Sequence, residues 1–359
     1  MSAAVEPMRI AVVGLGVRGR QWASAVAGSV ETDLAAVIEV RSTEAVPGVS
    51  TFPALIEAAG SVPLDGVVLA TPPAAHRAGV QDATELGLPV LCEKPLAEDL
   101  DEAVSMVALA DARGVPLVVG MNLRFLPVSV ELRRRIGDGR LGRPMYATFE
   151  YLRNRDGSRP DLNDYPLTME HPMLLEQAIH HLDLLRYVYD REVETVTAHT
   201  WNPASSGYAG DACVAVHLVL EGDLHVSYVG TWVAGTNRIG FRWRTDLERG
   251  VMIQRKQFGE LVVAERVPGA EHTGPLFDEE AEPPAAVPLP ESTPFVEDTV
   301  TLLRQFCAAA RGAPGIGPSG SDHLRTLALV HACVASAAAG RTVDVASFAD
   351  EHGIPGVGT

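Results

Sequence analysis

Short apolar runs separated by longer amphipathic stretches set the pattern of the first third of the chain. Ile10-Ala11-Val12-Val13, Leu34-Ala35-Ala36-Val37-Ile38, Gly66-Val67-Val68-Leu69-Ala70, Pro89-Val90-Leu91-Cys92 and Pro116-Leu117-Val118-Val119-Gly120 are such runs. Short runs without alternation predict strands buried on both faces. Helical periodicity lies between them, over about 76–86 ending at Gly87 and about 100–113 ending at Gly114. Strands and helices alternating in this way predict a parallel sheet with helices on both sides. In such a sheet a ligand sits beyond the carboxyl ends of the strands.

The periodicity changes after residue 140. Segments 145–152, 193–201, 212–220, 224–232, 240–244, 251–257 and 260–267 read as strands, with Gly222-Asp223 as a hairpin turn. No helical pattern interrupts the later ones, which predicts an open antiparallel sheet. One helix, about 172–189, precedes most of them, with Leu174, Leu175, Ala178, Leu182 and Leu185 as its core stripe. Residues 268–294 are acidic, proline-rich and aperiodic, as in an exposed loop. Helices near 295–311 and 321–339 close the pattern, with Gly340 as a C-terminal stop.

Composition narrows the function classes. The 359 residues suffice for two domains with real cores, and 47% hydrophobic with 21% charged residues is ordinary for a globular protein. Twenty-nine basic against 46 acidic residues give a net charge of -17, which argues against nucleic acid or an anionic membrane as partner. No stretch is apolar for long enough to span a bilayer, and no basic region with an apolar core opens the chain, so a cytoplasmic location is expected. Cys92, Cys213, Cys307 and Cys333 are scattered, as reduced buried thiols are, and no metal-ligand spacing stands out.

Candidate chemistry gathers at the strand ends. Gly14-Leu15-Gly16-Val17-Arg18-Gly19 follows the first strand and opens a helix. Gly14 permits the tight turn, Gly16 lets a pyrophosphate lie against the backbone, and Gly19 lets helix and sheet pack closely. The helix N-terminus then offers N–H groups and a positive dipole end to phosphate. Glu39, at the end of the second strand, is placed to accept from the adenosine ribose of NAD and to repel the extra phosphate of NADP. Arg41 is the competing signal, since it is placed to reach that phosphate, so NAD is expected and NADP remains open. Thr71-Pro72, Glu93-Lys94-Pro95 and Asn122 also fall at strand ends.

On the helix over 172–189, Glu176, His180, Asp183 and Tyr187 recur at three- and four-residue steps and share one stripe. A carboxylate one turn from a histidine fixes its tautomer, which suits a general base taking a proton from an alcohol. A polar face with internal ion pairs is the bland alternative, and a metal site at Glu176, His180 and Asp183 is the third. Lys94 is either an exposed turn lysine or a cation that stabilises a reacting oxygen.

Several of these pieces together resemble the glucose–fructose oxidoreductase, inositol dehydrogenase and MocA family over nearly the whole chain. They are Gly14–Arg20, Ala70-Thr71-Pro72-Pro73-Ala74-Ala75-His76, Glu93-Lys94-Pro95-Leu96, Gly120–Pro127, Leu141-Gly142-Arg143-Pro144, Glu176–Tyr187 and Ser321-Asp322-His323. The resemblance implies an α/β protein with an N-terminal Rossmann domain (1–122) and a C-terminal α+β domain (123–359) built on a large, mainly antiparallel open sheet. It implies terminal helices that return to the first domain, a dimer or tetramer formed through the open sheet, and a cis Lys94–Pro95 bond. It also implies Lys94, Glu176 and His180 as the catalytic set, with Glu176 orienting His180. Gly14, Gly16, Val17, Arg18, Gly19, Glu39, Arg41, Thr71, Pro72, His76, Glu93, Lys94 and Asn122 are the implied cofactor residues. Asn122, Arg124, Tyr151, Arg153, Asp164 and Tyr165, with Lys94 and His180, are candidates for substrate recognition.

Glu176 stands where the family has Asp, Ala178 where it has Gly, and Met169–Met173 replaces a Gly-rich approach. The expected reaction is hydride transfer between a nicotinamide and a ring hydroxyl, or its ketone, of a sugar, cyclitol or derivative. The alternatives are redox-neutral glycoside cleavage through bound NAD, and a non-catalytic dinucleotide sensor. The sensor would be expected to lack Lys94 or His180, and both are present.

Overall fold

The computed structural model describes residues 6–40, 46–155, 164–266, 284–313 and 317–356. The apolar runs of the first third form β1 (Met8–Val13), β2 (Thr32–Ile38), β3 (Ser50–Phe52), β4 (Gly66–Leu69), β5 (Val90–Cys92) and β6 (Leu117–Val119). They make one parallel sheet in the order β3-β2-β1-β4-β5-β6. Helices α1 (Val17–Gly28), α2 (Leu55–Ser61), α3 (His76–Glu85) and α4 (Leu100–Arg113) link these strands, and α5 (Pro127–Gly137) follows β6. Every residue of β4, β5 and β6 is buried, which is why these runs show no alternation. Asp99 caps α4 by accepting from the Glu102 N–H, and Gly114 ends that helix in the left-handed conformation. The charged α5 was hidden in the sequence, although Val128, Leu132 and Ile136 recur at four-residue steps and Pro127 opens it.

The second sheet has nine strands: β7 (Pro144–Leu152), β8 (Val193–Trp201), β9 (Cys213–Leu220), β10 (Leu224–Thr231), β11 (Gly240–Leu247), β12 (Gly250–Lys256), β13 (Gly259–Glu265), β14 (Ala285–Ala286) and β15 (Val343–Asp344). Their order is β14-β13-β12-β11-β7-β10-β9-β8-β15. All neighbours are antiparallel except β7 and β10, which run parallel. The mainly antiparallel open sheet that was expected is present, with this one parallel pair. The parallel pair arises because the β8-β9-β10 meander, entered after a helical crossover, turns back against β7. Alternation within a strand reports which face is buried and carries no information about its neighbour's direction.

Helix α6 (Ile179–Tyr189) lies against this sheet, and α7 (Glu297–Ala310), α8 (Gly320–Ala339) and α9 (Val345–Glu351) complete the elements. Leu302, Leu303, Phe306 and Cys307 of α7 share a core with Ile10, Val12, Trp22, Val68 and Leu91 of the first sheet and its helix. The C-terminal part of the chain therefore helps to build the site on the N-terminal sheet. All four cysteines are buried and unbridged. No helix among the described residues is long and apolar enough to cross a membrane.

Candidate active site

The turn after β1 is shaped by its glycines. Gly14 has φ +87°, and a Cβ there would sit 3.0 Å from the Ala70 carbonyl oxygen. A Cβ on Gly19 would lie 1.9 Å from the Gly14 carbonyl oxygen, so α1 can approach the turn only with glycine. A Cβ on Gly16 would meet nothing within 4 Å. Gly16 is also the N-cap of α1 and provides no side-chain acceptor, so it leaves the first-turn N–H groups to a ligand. This open backbone cradle fits the pyrophosphate of a dinucleotide. Val17 is exposed at the first helical position. Glu39 follows β2 and accepts from the Leu15 N–H at 2.8 Å, so the carboxylate at the end of β2 braces the glycine turn. Arg41 lies outside the described residues.

Gly19→Ala is expected to destabilise the ligand-free protein by about 1–3 kcal/mol, because a methyl must displace backbone. Gly16→Val should leave the thermal transition within a degree or two and weaken NAD binding at least tenfold. Calorimetry with and without NAD checks both; equal effects on the ligand-free fold would refute this division of roles.

Thr71 and Pro72 follow β4 at the same edge. His76 stands behind them, fully buried, with Nε2 2.9 Å from the Thr71 carbonyl oxygen and Nδ1 3.0 Å from that of Pro95. It ties the Thr71 loop to the Lys94–Pro95 turn and presents no surface to a cofactor. The Lys94–Pro95 peptide is cis.

Arg18 also turns inward. Its Nε donates to Glu93 Oε1 at 2.6 Å and its Nη1 to Thr299 Oγ1 of α7 at 3.0 Å. Trp22 Nε1 donates to the same Glu93 oxygen at 2.6 Å. Burial alone would raise the Glu93 pKa, but the Arg18 charge and these hydrogen bonds outweigh it and hold the group below its usual range. Glu93 is thus a fixed anion immediately before Lys94. Asn122 donates to the carboxylate of buried Asp298, a group whose pKa burial pushes up.

Lys94 and Glu176 meet across the two halves of the chain. Lys94 Nζ donates to Glu176 Oε2 at 2.7 Å and to the Glu176 carbonyl oxygen at 2.8 Å. The Tyr165 hydroxyl also bonds Glu176, and its pKa is raised by burial and then by that carboxylate. The expected continuous α-helix is interrupted here, since Met173–Ala178 is a π-helical turn that runs into α6. The wider turn breaks the three- and four-residue phase, so Glu176 points to Lys94 rather than to His180. His180 is buried, and its Nδ1 has no hydrogen-bond partner among the described residues. Burial first, and the Lys94 charge second, push its pKa well below 6.5, leaving a neutral imidazole.

Asp183 does not join His180 either. It accepts from Arg124 Nε at 2.7 Å and from Thr326 Oγ1 at 2.9 Å. Arg124 also pairs with Asp322 at 2.7 Å, and Asp322 pairs with Arg186 at 3.0 Å. Arg124 is therefore committed to a buried charge network that fastens α6 to α8. Tyr151 is fully buried and donates to Gln177 Oε1 at 3.2 Å, with Arg153 beside its hydroxyl. Asp164 is exposed and leads into the short 3-10 turn that carries Tyr165.

Sequence reasoning missed Arg155, Gln177, Trp232, Asp298 and Thr299. Arg155 had a signal, standing two residues beyond Arg153 on an extended segment. Asp298 and Thr299 had none, because they arrive from the far end of the chain. No cluster of acidic, histidine or cysteine side chains among the described residues is arranged to hold a metal ion.

Residues 8–121 match a family model described as an oxidoreductase family with an NAD-binding Rossmann fold, and residues 129–253 match the GFO/IDH/MocA C-terminal domain. Inositol 2-dehydrogenase of Rhizobium meliloti is 28% identical over 94% of this chain and 99% of its own length. Inositol 2-dehydrogenase of Mycolicibacterium smegmatis is 29% identical over 73% of this chain and 75% of its own length. An inositol dehydrogenase homologue of Azotobacter vinelandii, crystallised with NADH and myo-inositol, shares the fold with a TM-score of 0.75 at 21% identity, over 94% of this chain and 98% of that one.

Proposed function

The chain belongs to the Gfo/Idh/MocA oxidoreductase family and has its NAD-binding domain, and from that premise we propose that it is a dehydrogenase for a ring hydroxyl, or the matching ketone, of a sugar, cyclitol or derivative. The observation that carries this reading is a lysine ammonium whose charge acts on a buried neutral histidine, at a strand end of the same sheet that carries an open dinucleotide cradle. The Gly14–Gly19 turn and Glu39 would hold NAD, whose chemistry would be to offer the alcohol carbon a hydride acceptor. His180 takes the hydroxyl proton as general base. Lys94 donates to the developing alkoxide oxygen and lowers the cost of its charge. Glu176 holds Lys94 in place, and Tyr165 fixes Glu176 in turn. The π-turn supports this assignment, since it gives the longer Glu176 a reach toward Lys94. Arg18, Glu93 and Trp22 keep the strand end rigid below the reacting groups.

The depressed His180 pKa gives a signed expectation. The ring stays neutral as pH falls through 6.5 and protonates only below it, so kcat/KM for oxidation should stay level near neutrality and fall on the acid side. His180→Asn should remove that acid limb and lower kcat by about a hundredfold or more. An unchanged limb in the variant would reassign the base.

The outer face of the second sheet exposes Tyr146, Val229 and Trp201, which supports a homo-oligomer joined there. Light scattering on Val229→Arg should report a smaller species than wild type; an unchanged mass would place the contact elsewhere.

A further inference from the structure

Next to Lys94 and Glu176, the described residues gather charged hydrogen-bond donors of a kind a neutral polyol does not require. Beyond β7 the chain stays extended, with Arg153 N–H donating to the Thr231 carbonyl and Arg155 N–H to that of Trp232, both at 2.9 Å. Alternate residues of an extended segment share a side, so Tyr151, Arg153 and Arg155 face the same way. The Tyr151 hydroxyl donates to Gln177, the neighbour of Glu176. The Arg155 guanidinium lies 4.3 Å from the Trp232 ring centroid, and its charge reaches the Tyr165 phenol that bonds Glu176. These groups therefore gather around the residues that hold Lys94.

Trp232 supplies the second observation. It is only 1% exposed, and its indole N–H makes no well-aligned hydrogen bond among the described residues, the Tyr151 hydroxyl being the acceptor nearby. A buried donor left unmet is costly, and such a group commonly waits for a ligand or a water. The nearby carboxylates are already engaged: Glu176 is on Lys94, and Asp211 accepts from Thr200 Oγ1 at 2.6 Å. Among the described residues, the Arg153 guanidinium and the indole N–H thus stand as donors with few open acceptors beside them. A hydroxyl brings its own proton to such donors, whereas a carboxylate brings only acceptors, and its bonds to charged donors are the stronger ones.

We propose that the substrate of this site is a polyhydroxy acid, whose carboxylate is held by Arg153 and the Trp232 N–H with Arg155 alongside, while a hydroxyl carbon of the same molecule lies at Lys94 and His180. An aldonate or a uronate is the class that fits. The inference rests on the dehydrogenase reading for its chemistry and on these donors for its substrate class.

The test pairs each acid with its neutral parent: D-glucuronate with D-glucose, D-galacturonate with D-galactose, and D-gluconate with D-glucitol, with myo-inositol beside them. NADH formation is followed by absorbance. Binding to the NADH-loaded protein is followed separately by tryptophan fluorescence. An acid should exceed its neutral partner in kcat/KM by at least about tenfold, the effect of one charged hydrogen bond. Arg153→Met should collapse that ratio mainly through KM for the acid, and Arg153→Lys should restore part of it. A thermal transition for each variant separates misfolding from lost recognition. Neutral compounds turned over as well as acids, with a ratio insensitive to Arg153→Met, would overturn the acid class and leave the dehydrogenase reading standing. Acids bound in an Arg153-dependent way without any turnover would uphold the class and overturn the dehydrogenase reading. Failure of every acid to bind the wild-type protein would overturn the inference itself.

Discussion

Lys94→Met is expected to give a folded protein that still binds NAD and turns over about a thousandfold more slowly. Methionine keeps the length of the side chain and removes the only charge that the proposed reaction sets against the alkoxide. A single preorganised donor to a developing oxyanion is worth about a hundred- to a thousandfold, and loss of support for the proton transfer adds to that. The substitution also leaves the Glu176 carboxylate without its cation, near Glu98, whose pKa is raised by burial and then by Glu176 itself. The double variant Lys94→Met with Glu176→Gln should therefore be the more stable of the two while remaining as inactive. Removing the Lys94 charge lets His180 protonate more readily, so any residual activity should fall off at a higher pH on the acid side than wild type. Initial rates of NADH formation and calorimetric NAD binding measure these effects. Turnover within a few-fold of wild type would remove Lys94 from the mechanism.

The second large effect falls on stability. Arg124→Met should cost about 3–5 kcal/mol, because it strands two carboxylates in a buried network. Arg124 and Asp183 are both buried, and Asp322 is mostly so. Burial would raise the Asp322 pKa, but Arg124 and then Arg186 overcome it and hold the group well below its ordinary value of 3.8. A carboxylate with a depressed folded pKa contributes stability above its unfolded value and loses it as pH falls through the folded one. The gap between wild type and variant should thus be widest near neutrality and should narrow in acid. Thermal unfolding at pH 7 and at steps below pH 3.8 checks both magnitude and sign. A loss under about 1 kcal/mol at pH 7 would mean that water already screens the network.

These two side chains also show how far the sequence could be read. Lys94 was legible because its neighbours fix its setting, namely an apolar strand, a terminal Glu-Lys-Pro turn and a glycine turn upstream. Arg124 stood in an equally conspicuous motif and was read as a substrate residue. Its partners Asp183 and Asp322 lie on α6 and α8, and no local pattern announces that pairing. His76 shows the same contrast, since the strand end was legible but its enclosed orientation was not. Glu176 was assigned to His180 by ideal helical spacing, and one π-turn was enough to redirect it to Lys94.

The sequence by itself determined the two layered halves, the glycine cradle, and the placing of Glu39, Thr71, Lys94 and Asn122 at strand ends. Each follows from periodicity and from the steric demands of single residues, which are local properties of the chain. Only the tertiary structure decided the parallel partner of β7, the inward turn of Arg18 onto Glu93, and the arrival of Asp298 and Thr299 beside Asn122 and Arg18. It alone also brought Arg153, Arg155 and Trp232 together around Tyr151. The physical reason is common to all of them. A buried charge or donor must find a partner, that partner can come from any distance along the chain, and packing rather than sequence spacing selects it.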